Sequence, residues 1–323
     1  MKFIDVDKDN QLVFATANQP EIAEDECLIK VKATGVNRAD LLQRAGQYPP
    51  PPGESEVLGL EVCGDIALCG PAVNNWQVGD KVFGLVPGGG YGEYAKVKAG
   101  QLFQLPQHFS YAQGAATAEV FLTAFQSLFS LACLQKSETV LIHAGASGVG
   151  TAAIILAKLY GCEVTVTAGT EEKLSACQAL GADHLVNYRE QDFVQWKKAH
   201  QPGGYDVILD VVGGNYLNKN ISVAALDGRI VMLAMLGGRY SDPLDIAKLL
   251  LKRLTLKAST LRNRSDEYKA QLLRDFNHYF GEALQQGKII PVIDQVYPWQ
   301  EAEQAHSRMA SCENIGKLVL SLD

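Results

Sequence analysis

The sequence predicts a mixed α/β protein in which a barrel-like unit of short strands accompanies a doubly wound parallel sheet. Three observations support this prediction. Short, partly β-branched runs separated by Gly and Pro fill the first 115 residues, strands and helices alternate from residue 118, and a glycine-rich loop joins a strand to a helix at residues 144–150. Many short strands with Gly/Pro turns are typical of barrels, whereas strand–helix alternation builds a parallel sheet covered by helices.

Each predicted element follows from a local pattern. The strands of the barrel-like unit are apolar runs at residues 27–33, 57–67 and 81–86. Its turns are Gly- and Pro-rich segments at residues 49–53, 70–71, 78–80 and 87–90. The strands of the parallel sheet are residues 139–143, 163–167, 184–186, 205–210, 229–233 and 254–258. Segments of helical period lie at residues 119–131, 150–160 and 173–180. A tail with a helix at 267–286 and strands at 292–297 and 317–322 can return to the first unit.

Composition excludes several classes of protein. Hydrophobic residues are 47% and charged residues 20% of the chain, which is more apolar than a disordered chain. The formal net charge is 29 − 36 = −7, and nucleic acid is not expected as a partner because phosphate neutralisation needs clustered Lys and Arg. A membrane association is not expected either, since the most apolar stretch, residues 120–134, is too short to span a bilayer.

Cysteine usage predicts a reducing compartment. The seven cysteines are scattered, and no two have C-x-x-C spacing, so neither a disulfide framework nor a zinc ribbon is indicated. The amino terminus lacks the apolar core of a signal peptide. We therefore expect a cytoplasmic protein.

The strongest functional signal is the loop Ala144–Gly150, between a predicted strand and a predicted helix. This context is what a dinucleotide-binding fingerprint requires. Gly145 permits a tight turn, Gly148 and Gly150 permit close approach of a diphosphate, and the helix start offers unpaired N–H groups. Ser147 replaces the second glycine of the usual pattern, and its hydroxyl is a potential partner for phosphate or substrate. The expected cofactor contacts here are Gly145, Ser147, Gly148, Val149 and Gly150.

A serine hydrolase is the alternative for this loop, because Gly145-Ala146-Ser147 begins like the G-x-S-x-G nucleophile elbow. The pattern fails at its last glycine, which is Val149, and nothing in the sequence selects a His and an acidic partner for Ser147. The cofactor loop is therefore the favoured interpretation.

The end of the next strand predicts NADP(H) as the cofactor. An NAD enzyme usually places Asp or Glu there to bind the ribose 2′-hydroxyl, but here Gly169 and Thr170 follow the strand, with Lys173 nearby. A hydroxyl and a cation suit a 2′-phosphate. The two glutamates that follow Thr170 must then point to solvent, as charges at a helix start. Tyr188 is a second candidate for the adenosine end, although a core position would explain it equally well.

Two further glycines, Gly213 and Gly237, follow later predicted strands. Ligands of open α/β sheets bind beyond the carboxyl ends of the strands. We therefore expect both glycines to let a cofactor approach, with capping of the strands as the alternative.

These motifs together resemble one family along nearly the whole chain, the medium-chain dehydrogenases/reductases. Within it, the chain is similar to the zinc-independent, NADPH-dependent quinone oxidoreductases of the zeta-crystallin-like group. The motifs that carry the resemblance are residues 37–44 (NRADLLQR), 46–48 (GQY), 58–61 (LGLE), 87–90, 122–126 (LTAFQ), 143–150 and 314–317 (NIGK). The resemblance implies a GroES-like catalytic domain, residues 1–118 and 266–323, and an inserted Rossmann NADP-binding domain, residues 119–265, with the active site in the cleft.

The resemblance also implies hydride transfer from NADPH to a small-molecule quinone without a metal. Zinc-dependent relatives have a Cys where this chain has Asn37 and a His where it has Leu60, so no metal is expected. Tyr48 and Asn37 are implied as catalytic residues, and Thr123 and Asn314 as further cofactor contacts. Tyr48 could equally anchor its loop, and Asn37 could cap a turn.

Two other functions stay open from the sequence. The first is NADPH-dependent reduction of activated C=C bonds in alkenals or enones, which the same family contains. The second is a binding or structural role, which the net charge disfavours for RNA. Members of the family are commonly homodimers, and the apolar segment 249–256 suits that interface or a core equally.

Overall fold

The computed structural model describes residues 1–322. The chain divides into a discontinuous unit, Met1–Leu122 with Leu261–Asp323, and an inserted unit, Thr123–Thr260. The predicted domain boundaries, 118/119 and 265/266, lie a few residues from these.

The helices and strands have the following bounds. The strands are β1 (Lys2–Val6), β2 (Leu12–Thr16), β3 (Glu26–Val36), β4 (Glu61–Cys69), β5 (Lys81–Leu85), β6 (Tyr94–Lys98), β7 (Leu102–Gln104), β8 (Thr139–His143), β9 (Glu163–Ala168), β10 (His184–Asn187), β11 (Tyr205–Asp210), β12 (Ala224–Met232), β13 (Thr255–Ala258), β14 (Ile293–Pro298) and β15 (Lys317–Ser321). The helices are α1 (Arg38–Arg44), α2 (Tyr111–Ala115), α3 (Ala118–Phe125), α4 (Gly148–Tyr160), α5 (Glu171–Ala179), α6 (Phe193–His200), α7 (Tyr216–Val223), α8 (Ile246–Leu251), α9 (Asp266–Gln285) and α10 (Ala302–Ala310).

The discontinuous unit is built on a sheet with the strand order β14-β15-β3-β4-β5-β7, in which β6 also pairs with β3. β15 runs antiparallel to β3, with Leu318 opposite Val36. This pairing brings Lys317, the first residue of β15, beside Asn37, which directly follows β3. Ile29, Val62 and Val82 from three adjacent strands are buried in its core.

The inserted unit is a six-stranded sheet in the order β10-β9-β8-β11-β12-β13, and every neighbouring pair is parallel. The predicted mixed α/β class with a parallel sheet is confirmed. β8 lies between β9 and β11, so the chain direction across the sheet reverses there. The loops that follow β8, β9, β11 and β12 all leave the same edge of the sheet, which is where open α/β sheets bind ligands.

The predicted helix at residues 119–131 is divided in the structure. α3 ends at Phe125, and a π-helical turn follows over Gln126–Leu131. Ser127 Oγ donates a hydrogen bond of 2.7 Å to the carbonyl oxygen of Thr123. A side-chain hydroxyl that takes a backbone acceptor of the helix weakens the regular ladder. Hydrophobic periodicity does not register this competition.

Helix α10 was not predicted from the sequence. Its buried face consists of Ala302, Ala305, His306 and Met309. Two alanines and a histidine make a weak apolar stripe, so the helical period is hard to recognise. In the part of the chain that the structure describes, no helix has the length and apolar character needed to cross a membrane.

Candidate active site

The loop after β8 has the conformation expected of a cofactor loop. A Cβ atom added to Gly145 would lie 2.8 Å from Val166 Cβ, and one added to Gly150 would lie 2.5 Å from the carbonyl oxygen of Ala144. Both positions therefore require glycine. Ser147 is the N-cap of α4, and its Oγ accepts a hydrogen bond of 3.0 Å from the Gly150 amide. The Ser147 hydroxyl, which is predicted to contact phosphate or substrate, therefore also caps α4.

Gly148 and Val149 form the first turn of α4. Amides in the first turn of a helix have no partner within it. Together with the positive end of the helix dipole, they make this turn suitable for a diphosphate.

The loop after β9 brings together the residues predicted to bind the adenosine end. A Cβ atom on Gly169 would lie 2.7 Å from Tyr188 Oη and 3.1 Å from Arg189 Nε. Gly169 therefore leaves room for both side chains. Thr170 is the N-cap of α5, and its Oγ1 accepts from the amide of Lys173 at 3.3 Å.

Arg189 was missed from the sequence. β10 pairs in parallel with β9, and Asn187 lies opposite Ala168, so residues after β10 reach the end of β9. This register is the signal that would have found Arg189. It adds a guanidinium, the group best suited to phosphate, to a place where Glu171 and Glu172 are exposed.

The loops after β11 and β12 lie against each other. Gly213 has a φ of 65°, and its amide donates to Asp210 Oδ1 at 2.9 Å. A Cβ atom on Gly237 would lie 2.8 Å from Val212 Cγ1. Gly237 also donates its amide to the Val212 carbonyl oxygen at 2.7 Å. The backbones of the two loops therefore contact each other directly at these two predicted glycines.

A buried polar network behind these loops was also missed. His143 Nε2 lies 2.8 Å from Asn220 Oδ1, and Asn220 Nδ2 donates to Asp210 Oδ2 at 3.0 Å. His143 Nδ1 lies 3.0 Å from Thr167 Oγ1. Burial lowers the pKa of His143, so the ring is neutral and bridges β8 to β9 and α7. The sequence signal for this network was His143, a polar residue at the end of the otherwise apolar strand β8.

The two remaining residues that are predicted to contact the cofactor lie in different units. Thr123 is in α3 and belongs to the inserted unit, with 8% of its surface exposed. Asn314 precedes β15 in the discontinuous unit, where its Nδ2 donates to the carbonyl oxygen of Gly316 at 2.7 Å.

Asn37 belongs to a buried ionic trio in the discontinuous unit. Its Oδ1 accepts from Lys317 Nζ at 2.6 Å, and its Nδ2 donates to Glu61 Oε1 at 2.9 Å. Lys317 and Glu61 themselves are 2.7 Å apart, with 3% and 0% of their side chains exposed. A Cβ atom on Gly35 would lie 2.2 Å from Glu61 Oε1, so a glycine makes the space for this carboxylate. Both ends of the Asn37 amide are therefore oriented by charge.

A second buried network adjoins this trio. Asp40 accepts from the amide of Asn37 at 2.8 Å and from Tyr91 Oη at 3.2 Å. Tyr91 Oη also lies 2.9 Å from His306 Nε2. Burial raises the pKa of Asp40 to about 6 and lowers that of His306 to about 3. Asp40, Tyr91 and His306 were not selected from the sequence, because their three positions are far apart in the chain.

Tyr48 lies half-buried in the loop after α1, where its amide donates to the Leu42 carbonyl oxygen at 3.2 Å. Burial raises the pKa of the Tyr48 phenol. The phenol therefore carries its proton at neutral pH, which is the protonation state that a proton donor needs.

The positions that zinc-dependent relatives use for metal do not fit a metal here. Leu60 is a buried hydrocarbon, and the Asn37 amide is bonded to the ammonium of Lys317. Within residues 1–322, no group of three or more His, Cys, Asp or Glu side chains is arranged to hold an ion.

Comparison with known proteins identifies the family. Residues 23–107 match the model for the alcohol dehydrogenase GroES-like domain, and residues 148–277 match that for zinc-binding dehydrogenases. The chain is 32% identical to the quinone oxidoreductase of Sus scrofa over 302 residues, 93% of this chain and 90% of that protein. It is 32% identical to the Homo sapiens quinone oxidoreductase over 304 residues, 92% and 89% of the two chains. The chain belongs to the medium-chain dehydrogenase/reductase family. The family prediction is confirmed, and the chain is an oxidoreductase of this family.

Solved structures of medium-chain dehydrogenases/reductases share the fold. The Escherichia coli quinone oxidoreductase complexed with NADPH superimposes with a TM-score of 0.86 at 26% identity, covering 99% of this chain and 98% of that one. The CurK enoyl reductase has a TM-score of 0.86 at 27% identity and the same coverage. The predicted combination of a GroES-like domain with a Rossmann sheet is confirmed.

Proposed function

We propose that this oxidoreductase is an NADPH-dependent quinone oxidoreductase that works without a metal. The observation that carries the proposal is that one metal-ligand position of the zinc-dependent relatives holds Asn37, bonded to Lys317 and Glu61, and another holds the buried Leu60. An acceptor that no Lewis acid polarises must already be electron-poor, and quinones are. The names of the curated relatives support the same substrate class.

The residues of the inserted unit fit NADPH. The bare backbone at Gly145 and Gly150 and the first turn of α4 would hold the diphosphate. Thr170, Lys173, Tyr188 and Arg189 would hold the 2′-phosphate. The further predicted contacts in this unit are Gly148, Val149, Gly169, Gly213, Gly237 and Thr123, and Asn314 is a predicted contact from the discontinuous unit. When bound, NADPH supplies a hydride from its nicotinamide ring.

The discontinuous unit supplies the proton. Hydride addition leaves negative charge on a quinone oxygen, and a donor placed there stabilises it. We assign this role to the phenol of Tyr48, which donates its proton to give the hydroquinone and is reprotonated from solvent. Asn37 is proposed to face the same quinone, because it occupies the position of a metal ligand in zinc-dependent relatives.

Steady-state oxidation of NADPH with a series of 1,2-quinones and 1,4-quinones tests the proposal. Turnover of several quinones with NADPH preferred over NADH is expected. Matched alkenals of similar size serve as the comparison set. Failure to reduce any quinone would contradict the proposed function.

Reduction of activated C=C bonds is the second candidate. The similarity to the CurK enoyl reductase supports it, because hydride addition to an enone also leaves charge on an oxygen. Faster turnover of alkenals or enones than of quinones in the same assay would favour this function.

We further propose a homodimer and a cytoplasmic location. β13 is at the edge of its sheet, and the nearby Leu250 and Leu251 are 72% and 76% exposed. An apolar surface beside an open strand edge favours a partner. The cysteines of the described chain are all free thiols, which supports a reducing compartment. Light scattering at micromolar concentration tests the dimer.

A further inference from the structure

Arg262 joins two loops of the discontinuous unit. Its Nε and Nη2 donate to the Pro87 carbonyl oxygen at 3.1 and 3.0 Å, and Nη1 makes a longer contact of 3.5 Å with the Tyr48 carbonyl oxygen. The residue is 8% exposed. The guanidinium therefore ties the loop of Tyr48 to the loop that begins at Pro87.

The same guanidinium lies against the phenol ring. Its central carbon is 5.6 Å from the centroid of the Tyr48 ring, within the range of a cation–π contact. Its donors go to backbone oxygens, and we find no carboxylate paired with it in the described part of the chain. A largely buried charge is screened less by salt and solvent than an exposed one, so it acts more strongly on its neighbours.

The groups around Tyr48 and Arg262 shift the pKa of the Tyr48 phenol in opposite directions. Burial raises the pKa of Tyr48, the charge of Arg262 lowers it, and Glu119 raises it. Burial lowers the pKa of Arg262, whereas the carboxylates of Asp40 and Glu54 raise it, and the buried Lys269 is a further cation near it. Arg262 is thus the charge that opposes the desolvation of the phenol.

We propose that Arg262 is a positioning residue for Tyr48, which holds the loop of the phenol through backbone carbonyls and keeps a permanent positive charge against its ring. This inference rests on the proposed role of Tyr48 as proton donor. As the phenol gives up its proton, negative charge grows on its oxygen, and the guanidinium stabilises that charge.

The test compares Arg262→Met, Arg262→Lys and Arg264→Met. Arg264 is a matched control, because its guanidinium lies 4.7 Å from the ring of Tyr268. Protein labelled with carbon-13 at tyrosine Cζ reports the titration of Tyr48, whose signal is identified by its loss in Tyr48→Phe. Quinone turnover is measured on the same samples, and circular dichroism checks folding.

We expect Arg262→Met to move the titration of Tyr48 to higher pH and to lower kcat about tenfold, as loss of a positioning contact does. Arg262→Lys should restore most of the titration and part of kcat, and Arg264→Met should change neither. An unchanged Tyr48 titration in a folded Arg262→Met variant would overturn the inference. The titration needs no substrate, so it decides this point even if no quinone is reduced.

Discussion

Tyr48 is the side chain on which the proposed proton transfer depends. Tyr48→Phe removes the hydroxyl and keeps the ring, so we expect kcat for quinone reduction to fall about 100-fold, the usual loss for a general acid. The KM for NADPH should be unchanged, because Tyr48 lies outside the residues assigned to the cofactor. Steady-state kinetics measures both constants, and a full rate in the variant would exclude the phenol as a required donor.

Lys173 and Arg189 are expected to decide the choice between the two nicotinamide cofactors. Lys173→Ala and Arg189→Ala each remove a cation from the proposed 2′-phosphate site. We expect the KM for NADPH to rise about tenfold or more, as for loss of a charge-assisted contact, with little change for NADH. The exposed Lys198→Ala is the control. Equal effects on both cofactors would remove the argument for NADPH.

Asp40 makes the stability of the protein depend on pH in an unusual direction. Its pKa is about 6 in the folded protein against an ordinary 3.8. Its contribution to the free energy of unfolding is therefore complete below pH 3.8 and is lost as the pH rises through 6. His306, whose pKa falls from 6.5 to about 3, acts in the opposite sense and loses its contribution as the pH falls.

The difference in the free energy of unfolding between wild type and Asp40→Asn isolates the contribution of the carboxyl group. We expect the stability advantage of wild type over the variant to shrink by about 2 kcal/mol between pH 4 and pH 7. Urea unfolding at a series of pH values measures it, with the exposed Asp9→Asn as control. A difference that stays constant with pH would show that Asp40 is ionised in the folded protein.

Ala144 and Gly145 in the predicted cofactor loop pack tightly against Gly150 in the first turn of α4. A Cβ at residue 150 would overlap the carbonyl oxygens of Ala144 and Gly145, at 2.5 and 2.6 Å, so Gly150→Ala must shift the loop. Because the loop is assigned to the diphosphate, which both cofactors share, we expect the KM values for NADPH and NADH to rise together. Gly203→Ala is the matched control, since its Cβ would meet no atom within 4 Å. An unchanged KM for both would place the diphosphate elsewhere.

We predict that two copies of the chain associate through the exposed apolar surface beside β13. Leu250→Glu with Leu251→Glu places charge on the exposed apolar surface beside β13. We expect the mass in solution to fall from that of a dimer to that of a monomer, because buried unpaired carboxylates are costly. Leu68→Glu, at a leucine that is 51% exposed in β4, is the control. A dimer that survives both substitutions would use another surface.

The amino-acid sequence by itself determined the fold class and the parallel sheet, and it predicted the cofactor loop. Strand–helix alternation and a glycine loop are local patterns, and local patterns reflect backbone requirements within a few residues. Asn37 and Leu60 differ in this respect, because only the resemblance to zinc-dependent relatives marks them as positions where a metal ligand is missing. Tertiary structure alone decided which distant residues meet. Lys317 reaches Asn37 because β15 pairs with β3, Arg189 reaches Gly169 because β10 lies beside β9, and Arg262 reaches Tyr48 from more than 200 positions away. Contacts of this kind depend on strand order and register, which hydrophobic periodicity does not encode.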